Sequence, residues 1–204
     1  MLSAIQCQCK QIIKLFDDLF AASHNTRLLC ALCNGRHGQL DEPVYEPANC
    51  LQTSHQIVFA HGYFASALHE VSHWFVAGQA RRLQVDYGYW YHPDGRTELQ
   101  QKQFEKVEVK PQALEWIFSL ASQRLFTASA DNLAAGACDD LAFRLAVSAQ
   151  ARAYLAHGLP HQAQLFLFQL QHTYAGQVTL EQLFWPEEKG AEEKGPQTKP
   201  INVA

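Results

Sequence analysis

The chain is nearly without methionine: Met1 is the only one in 204 residues. A fold that needs a methionine turn beneath a metal site is therefore excluded. Long apolar runs are also missing, which excludes a membrane-spanning helix. The apolar N-terminal stretch is broken by Lys10, Lys14, Asp17 and Asp18, so it lacks the uninterrupted centre of a secretory signal. Positive charge is scarce too. Sixteen Lys and Arg face 20 Asp and Glu, a net charge of -4, and the Arg81-Arg82 pair is too small a cluster to matter. No overall electrostatic drive toward nucleic acid or an anionic membrane remains. These absences point to a cytoplasmic protein.

What is present argues for a real core. Hydrophobic residues make up 48% and aromatics 11%, against disorder for most of the chain. The length suits one domain. The expected extent is residues 1–186, followed by a disordered tail at 187–204 where Glu, Lys, Gly and Pro take over. The six cysteines, Cys7, Cys9, Cys30, Cys33, Cys50 and Cys138, do not read as a disulfide framework in a long cytosolic chain. Cys7, Cys9, Cys30 and Cys33 have the count for a four-sulfur zinc site, but Cys7-Gln8-Cys9 is too tight; ordinary thiols are the preferred reading.

Apolar residues recur at helical spacing over 2–21: Ile5, Cys9, Ile12, Ile13, Phe16, Leu19 and Phe20. Residues 22–55 read as loop, punctuated by Gly and Pro. A short strand is expected at 56–60, and a helix at 63–77 between Gly62 and Gly78. Alternating aromatics predict a strand at 84–91, followed by a turn at Pro93-Asp94-Gly95. Helices are expected over 98–108, from Pro111 to about 124, and near 139–157 and 161–174. Gly158-Leu159-Pro160 separates the last two. Few strands and many helices make an α+β fold: a single, mostly helical domain with a small sheet.

The chemistry centres on His69-Glu70-Val71-Ser72-His73. In a helix, residues four apart lie one turn above each other. Two imidazoles so placed can hold one divalent metal, and Glu70, the candidate catalytic residue, can reach its open side. The helix around them is apolar nearly all round, so these polar groups would be costly to bury without a cation. Two histidines do not complete a ligand set. The extended metzincin pattern fails, because Val76 and Gln79 stand where Gly and His are needed. A third ligand must come from elsewhere. Glu108, between Val107 and Val109, is the best placed, with Glu105 and Glu115 as rivals. Two histidines and a carboxylate suit non-haem iron(II) and catalytic zinc equally. A zinc hydrolase, with Glu70 as general base for a metal-bound water, is therefore the competing function. His61 could support the site. The Tyr87–Tyr91 aromatics could bind a cation through their ring faces, and Asp86 or Asp94 could meet one, although such stripes and charges more often serve packing and solvation.

Several stretches together resemble the bacterial elongation factor P hydroxylase family. They are Ile57-Val58-Phe59-Ala60-His61-Gly62, Ala67 to Trp74, Ala77-Gly78-Gln79-Ala80-Arg81-Arg82, Val85 to Tyr91 with Pro93-Asp94-Gly95-Arg96, and Gln103 to Leu114. The resemblance implies a monooxygenase that hydroxylates the modified lysine of elongation factor P after a β-lysyl group has been attached. It implies a metal set of His69, His73 and Glu108, with iron(II) as the expected metal and dioxygen as co-substrate. It also implies an α+β fold similar to that of a bacterial endoribonuclease with a related metal motif. It leaves the electron donor open and does not extend to the N-terminal cysteines, the stretch near 30–40 or the charged tail.

Overall fold

The computed structural model describes residues 2–31, 43–60, 62–86, 96–129 and 141–188, with side chains from Cys9 onward. In chain order the elements are α1 (Leu2–Phe20), β1 (Thr26–Cys30), β2 (Val44–Glu46), β3 (His55–Phe59), α2 (Phe64–Val76), α3 (Glu98–Ala121), α4 (Leu141–His157) and α5 (His161–Tyr174). Short 3-10 turns at Arg81–Leu83 and Leu180–Leu183 complete them. The α+β class expected from sequence is what the molecule adopts: one mostly helical domain carrying a small sheet.

The sheet has the order β1-β3-β2. β3 is its centre, parallel to β1 and antiparallel to β2. Alternation along β3 sends Ile57 and Phe59 into the main core, while Val58 packs with Ala31 and Val44 on the other face. The loop expected over 22–55 thus contains two strands. β1 is a five-residue strand with alternating burial and β2 has only three residues, too short for periodicity to stand out from the surrounding turn residues. Of the strand expected at 84–91, only residues 84–86 are described. Gln84 ends a 3-10 turn, Asp86 makes a single antiparallel bridge to Tyr45, and residues 87–95 lie outside the described residues.

The two helices expected around Pro111 are one, α3, running through the proline. Proline removes a helical N–H and disfavours helix in the residue before it, costing about 3 kcal/mol in a helix interior. Here Pro111 is itself buried, preceded by buried Phe104 and Glu108 and followed by buried Gln112, Ala113, Leu114 and Trp116, so packing on both sides of the proline holds the helix together. Its start is fixed by a capping box: the Thr97 hydroxyl accepts from the Gln100 N–H, and the Gln100 side chain accepts from the Thr97 N–H.

The main core surrounds α2. Cys9, Ile12, Phe16 and Phe20 form the buried stripe of α1. The Phe16 and Phe20 rings pack against Trp74 and Phe75 of α2, and Phe75 in turn meets Phe118 of α3 and Phe166 of α5. The Cys9 thiol donates to the Gly62 carbonyl at 2.6 Å. Gly62 adopts a left-handed backbone, φ 68, which suits glycine in the turn that leads from β3 into α2. Cys9 and Cys30 are buried, while the side chains of Cys7 and Cys33, the other two sulfurs of the four-sulfur site weighed from sequence, lie outside the described residues. Among the described residues no helix is long and apolar enough to cross a membrane.

Candidate metal centre

α2 buries Ala67, Leu68, Val71, Trp74 and Phe75 and turns His69, Glu70 and His73 toward α3. The buried Ser72 hydroxyl is satisfied within the helix by the Leu68 carbonyl. The helix ends because Ala77 is extended, its N–H still donating to the His73 carbonyl; Gly78 lies one residue beyond that stop.

His69 and His73 stand one turn apart, with their Nε2 atoms 3.1 Å from each other. α3 supplies the carboxylate. Glu108 is 3% exposed, with Oε1 at 3.3 Å from His73 Nε2 and Oε2 at 3.8 Å from His69 Nε2. One donor atom from each of the three lies within 4.8 Å of the others. With metal–donor bonds of about 2.0–2.2 Å, ligand atoms sit roughly 3.0–3.6 Å apart, so the donor set already has nearly the right span for one ion.

The other two candidate carboxylates are elsewhere. Glu105 accepts from the Gln101 side-chain amide. Glu115 lies on the opposite nitrogen of His69, with Oε2 at 2.8 Å from Nδ1. Gln112, which sequence reasoning missed, donates to both Glu108 Oε2 and the Ser129 carbonyl and accepts from the Ser129 N–H. Its i+4 spacing from Glu108 is a recognisable signal only once α3 is known to be continuous.

The electrostatics favour a cation. Burial by itself pushes the Glu108 carboxyl up, but the two imidazoles, His73 foremost, and the Gln112 amide pull it down to about 2. Burial opposes charge on His69, yet Glu115, by charge and hydrogen bond, followed by Glu108 and Glu70, raises that imidazole well above its ordinary value. Burial also raises the Glu70 carboxyl; the imidazoles oppose this and the neighbouring carboxylates add to it. Three carboxyl groups thus converge on two imidazoles. A divalent ion would offset that excess of negative charge, and the mixed N and O donors fit a transition metal.

Beside the triad a cleft opens, lined by Tyr45, Glu70, His73, Trp74, Asp86 and Pro111 among others. Its rim is held together by Arg82, which stacks on the Trp74 ring at 4.1 Å and donates to the Trp74 carbonyl. The Tyr45 hydroxyl, kept protonated by burial that pushes it up to about 12, donates to the Arg82 carbonyl. Asp86, a candidate cation partner from sequence, pairs with Arg81 at 2.6 Å. His61, Tyr87–Tyr91 and Asp94 lie outside the described residues.

Comparison with known proteins follows the same stretch of chain. The profile of the family described as elongation factor P hydroxylase matches residues 15–184. A curated relative from Haemophilus influenzae, named elongation factor P lysine hydroxylase, is 48% identical over 155 residues, covering 76% of this chain and 83% of the relative. α2, α3 and the cleft between β2 and α2 all fall inside the matched region, and the chain belongs to the elongation factor P hydroxylase family.

Proposed function

We propose that this protein is a metal-dependent monooxygenase of the cytoplasm that hydroxylates the β-lysylated lysine of elongation factor P. In this reading residues 1–186 form the catalytic domain, with the charged segment 187–204 as a tail outside it. Family membership and the name of the Haemophilus relative support the reaction and the substrate. The observation that carries the metal is the convergence of His69 Nε2, His73 Nε2 and the buried Glu108 carboxylate.

His69, His73 and Glu108 would hold iron(II), which, when bound, supplies the dioxygen activation that attack on an unactivated C–H bond requires. The two imidazoles donate neutral nitrogen lone pairs, and Glu108 contributes a charge that burial would make expensive without a cation. Three protein donors would leave a bound ion open to further ligands. Glu70, on the cleft wall beside His73, acts as countercharge to the lysyl ammonium group. A cation arriving there favours the ionised carboxylate and so offsets the burial that raises Glu70.

The test is mass spectrometry of β-lysylated elongation factor P after incubation with the protein, iron(II), dioxygen and a reductant. A gain of one oxygen atom on the modified lysine is expected, with the label transferred from isotopic dioxygen. Absence of the gain, or an equal gain with His69→Ala, would overturn the proposal. Zinc in anaerobically purified protein, together with Glu70-dependent peptide cleavage, would favour a hydrolase.

A further inference from the structure

We infer that Glu115 is a positioning residue for the metal site: it fixes the tautomer and ring orientation of His69 so that Nε2 is presented to the ion. The inference rests on His69 being a ligand, as proposed above, and adds a role to a residue outside the donor set.

A neutral imidazole carries one N–H, on either nitrogen. An ionised carboxylate only accepts hydrogen bonds. Glu115 Oε2, 2.8 Å from His69 Nδ1, therefore selects the tautomer with the proton on Nδ1. That leaves the lone pair on Nε2, the atom facing His73 Nε2 at 3.1 Å and Glu108 Oε2 at 3.8 Å. Glu115 cannot itself serve as a ligand at that point, because Nδ1 and Nε2 point away from each other across the ring. A flip of the ring would put Cδ2 where Nδ1 stands and Cε1 where Nε2 stands, and so break the 2.8 Å bond.

Glu115 is well placed to resist such a flip. It is 9% exposed and lies between Leu114 and Trp116, both buried, in the second half of α3. It is two helical turns beyond Glu108 on the same face. One rigid helix thus carries the candidate carboxylate ligand and the residue that aims a candidate imidazole ligand from the neighbouring helix. A negative charge behind the ring also makes the imidazole a stronger donor.

The experiment uses zinc(II) as a redox-silent probe, with wild-type protein, Glu115→Ala and Glu115→Gln. Affinity is measured by competition with a chromogenic chelator, and His69 by 15N-histidine NMR. Glu115→Ala should bind zinc about 10- to 100-fold more weakly with its circular dichroism unchanged. Glu115→Gln, which restores an acceptor without the charge, should fall between. Zinc-loaded wild type should show His69 protonated at Nδ1 and bound through Nε2. If Glu115→Ala unfolds, the glutamine variant and the wild-type tautomer still decide. Zinc binding by Glu115→Gln and any folded Glu115→Ala within twofold of wild type, or His69 bound through Nδ1, overturns this role alone. Wild-type protein that binds no metal overturns the ligand assignment along with it.

Discussion

Glu108 concentrates most of the site's charge balance in one side chain. It is nearly fully buried, and among the described residues its charge partners are His69 and His73. Glu108→Gln keeps the shape and removes the charge. It should weaken zinc binding, abolish hydroxylation and lower the melting temperature of the metal-free protein at pH 7, where a carboxyl held down by its imidazole partners adds stability. Chelator competition and thermal unfolding check both parts. At this scale the histidine pair was legible from spacing alone, because i and i+4 share a helix face whatever surrounds them. The choice among Glu105, Glu108 and Glu115 was not. All three sit in one helix, and the distances to His69 and His73 depend on how α3 packs on α2.

α3 explains why the second half of the site was harder to read. Its buried residues include Glu108, Gln112, Glu115 and Ser119, polar residues at the three- and four-residue spacing normally occupied by apolar ones. Pro111 in the middle adds a break signal. Both features hide a continuous helix from periodicity. The end of α3 makes its own demand: at Gly176 a Cβ would press into the backbone carbonyls of Ala121 and Leu120. Gly176→Ala should therefore cost about 1–3 kcal/mol, seen as a lower denaturant midpoint with an unchanged slope.

The segment after α5 is fastened in another way. The Glu188 carboxylate accepts from the Ser148 hydroxyl, the Trp185 N–H and Arg152. Burial pushes Glu188 up, but these three partners hold it below the ordinary carboxylate range. A carboxyl depressed in the folded state adds stability above its unfolded value and loses it as pH falls through its folded one. Glu188→Gln should thus lower the melting temperature at pH 7, and the gap to wild type should close as the buffer is taken below the glutamate range.

On the scale of the whole molecule, α2 is the hub. It touches α1, α3, α5 and the sheet, and Phe75 joins the rings of Phe16, Phe20, Phe118 and Phe166. Phe75→Ala should cost about 3–5 kcal/mol of stability. Because the same cluster sets the distance between α2 and α3, the folded fraction should also bind zinc more weakly. Urea unfolding, and zinc titration at low temperature, measure the two effects. Weakened stability with unchanged zinc affinity would mean that the site is held by its own polar contacts.

Local features of the sequence determined the helix of the candidate metal site, the mostly helical α+β class and the pairing of His69 with His73, since each depends on spacing within one segment. Membership of the hydroxylase family was also legible, because several short stretches match together. Tertiary structure alone decided that β1 and β2 exist, that α3 runs unbroken through Pro111, and that Glu108 meets the histidine pair while Glu115 stands behind His69. The physical reason is common to all of these. Short strands, a proline inside a helix and buried carboxylates are each unfavourable locally. They persist because partners distant in the chain supply the hydrogen bonds, packing and countercharge that the local sequence lacks.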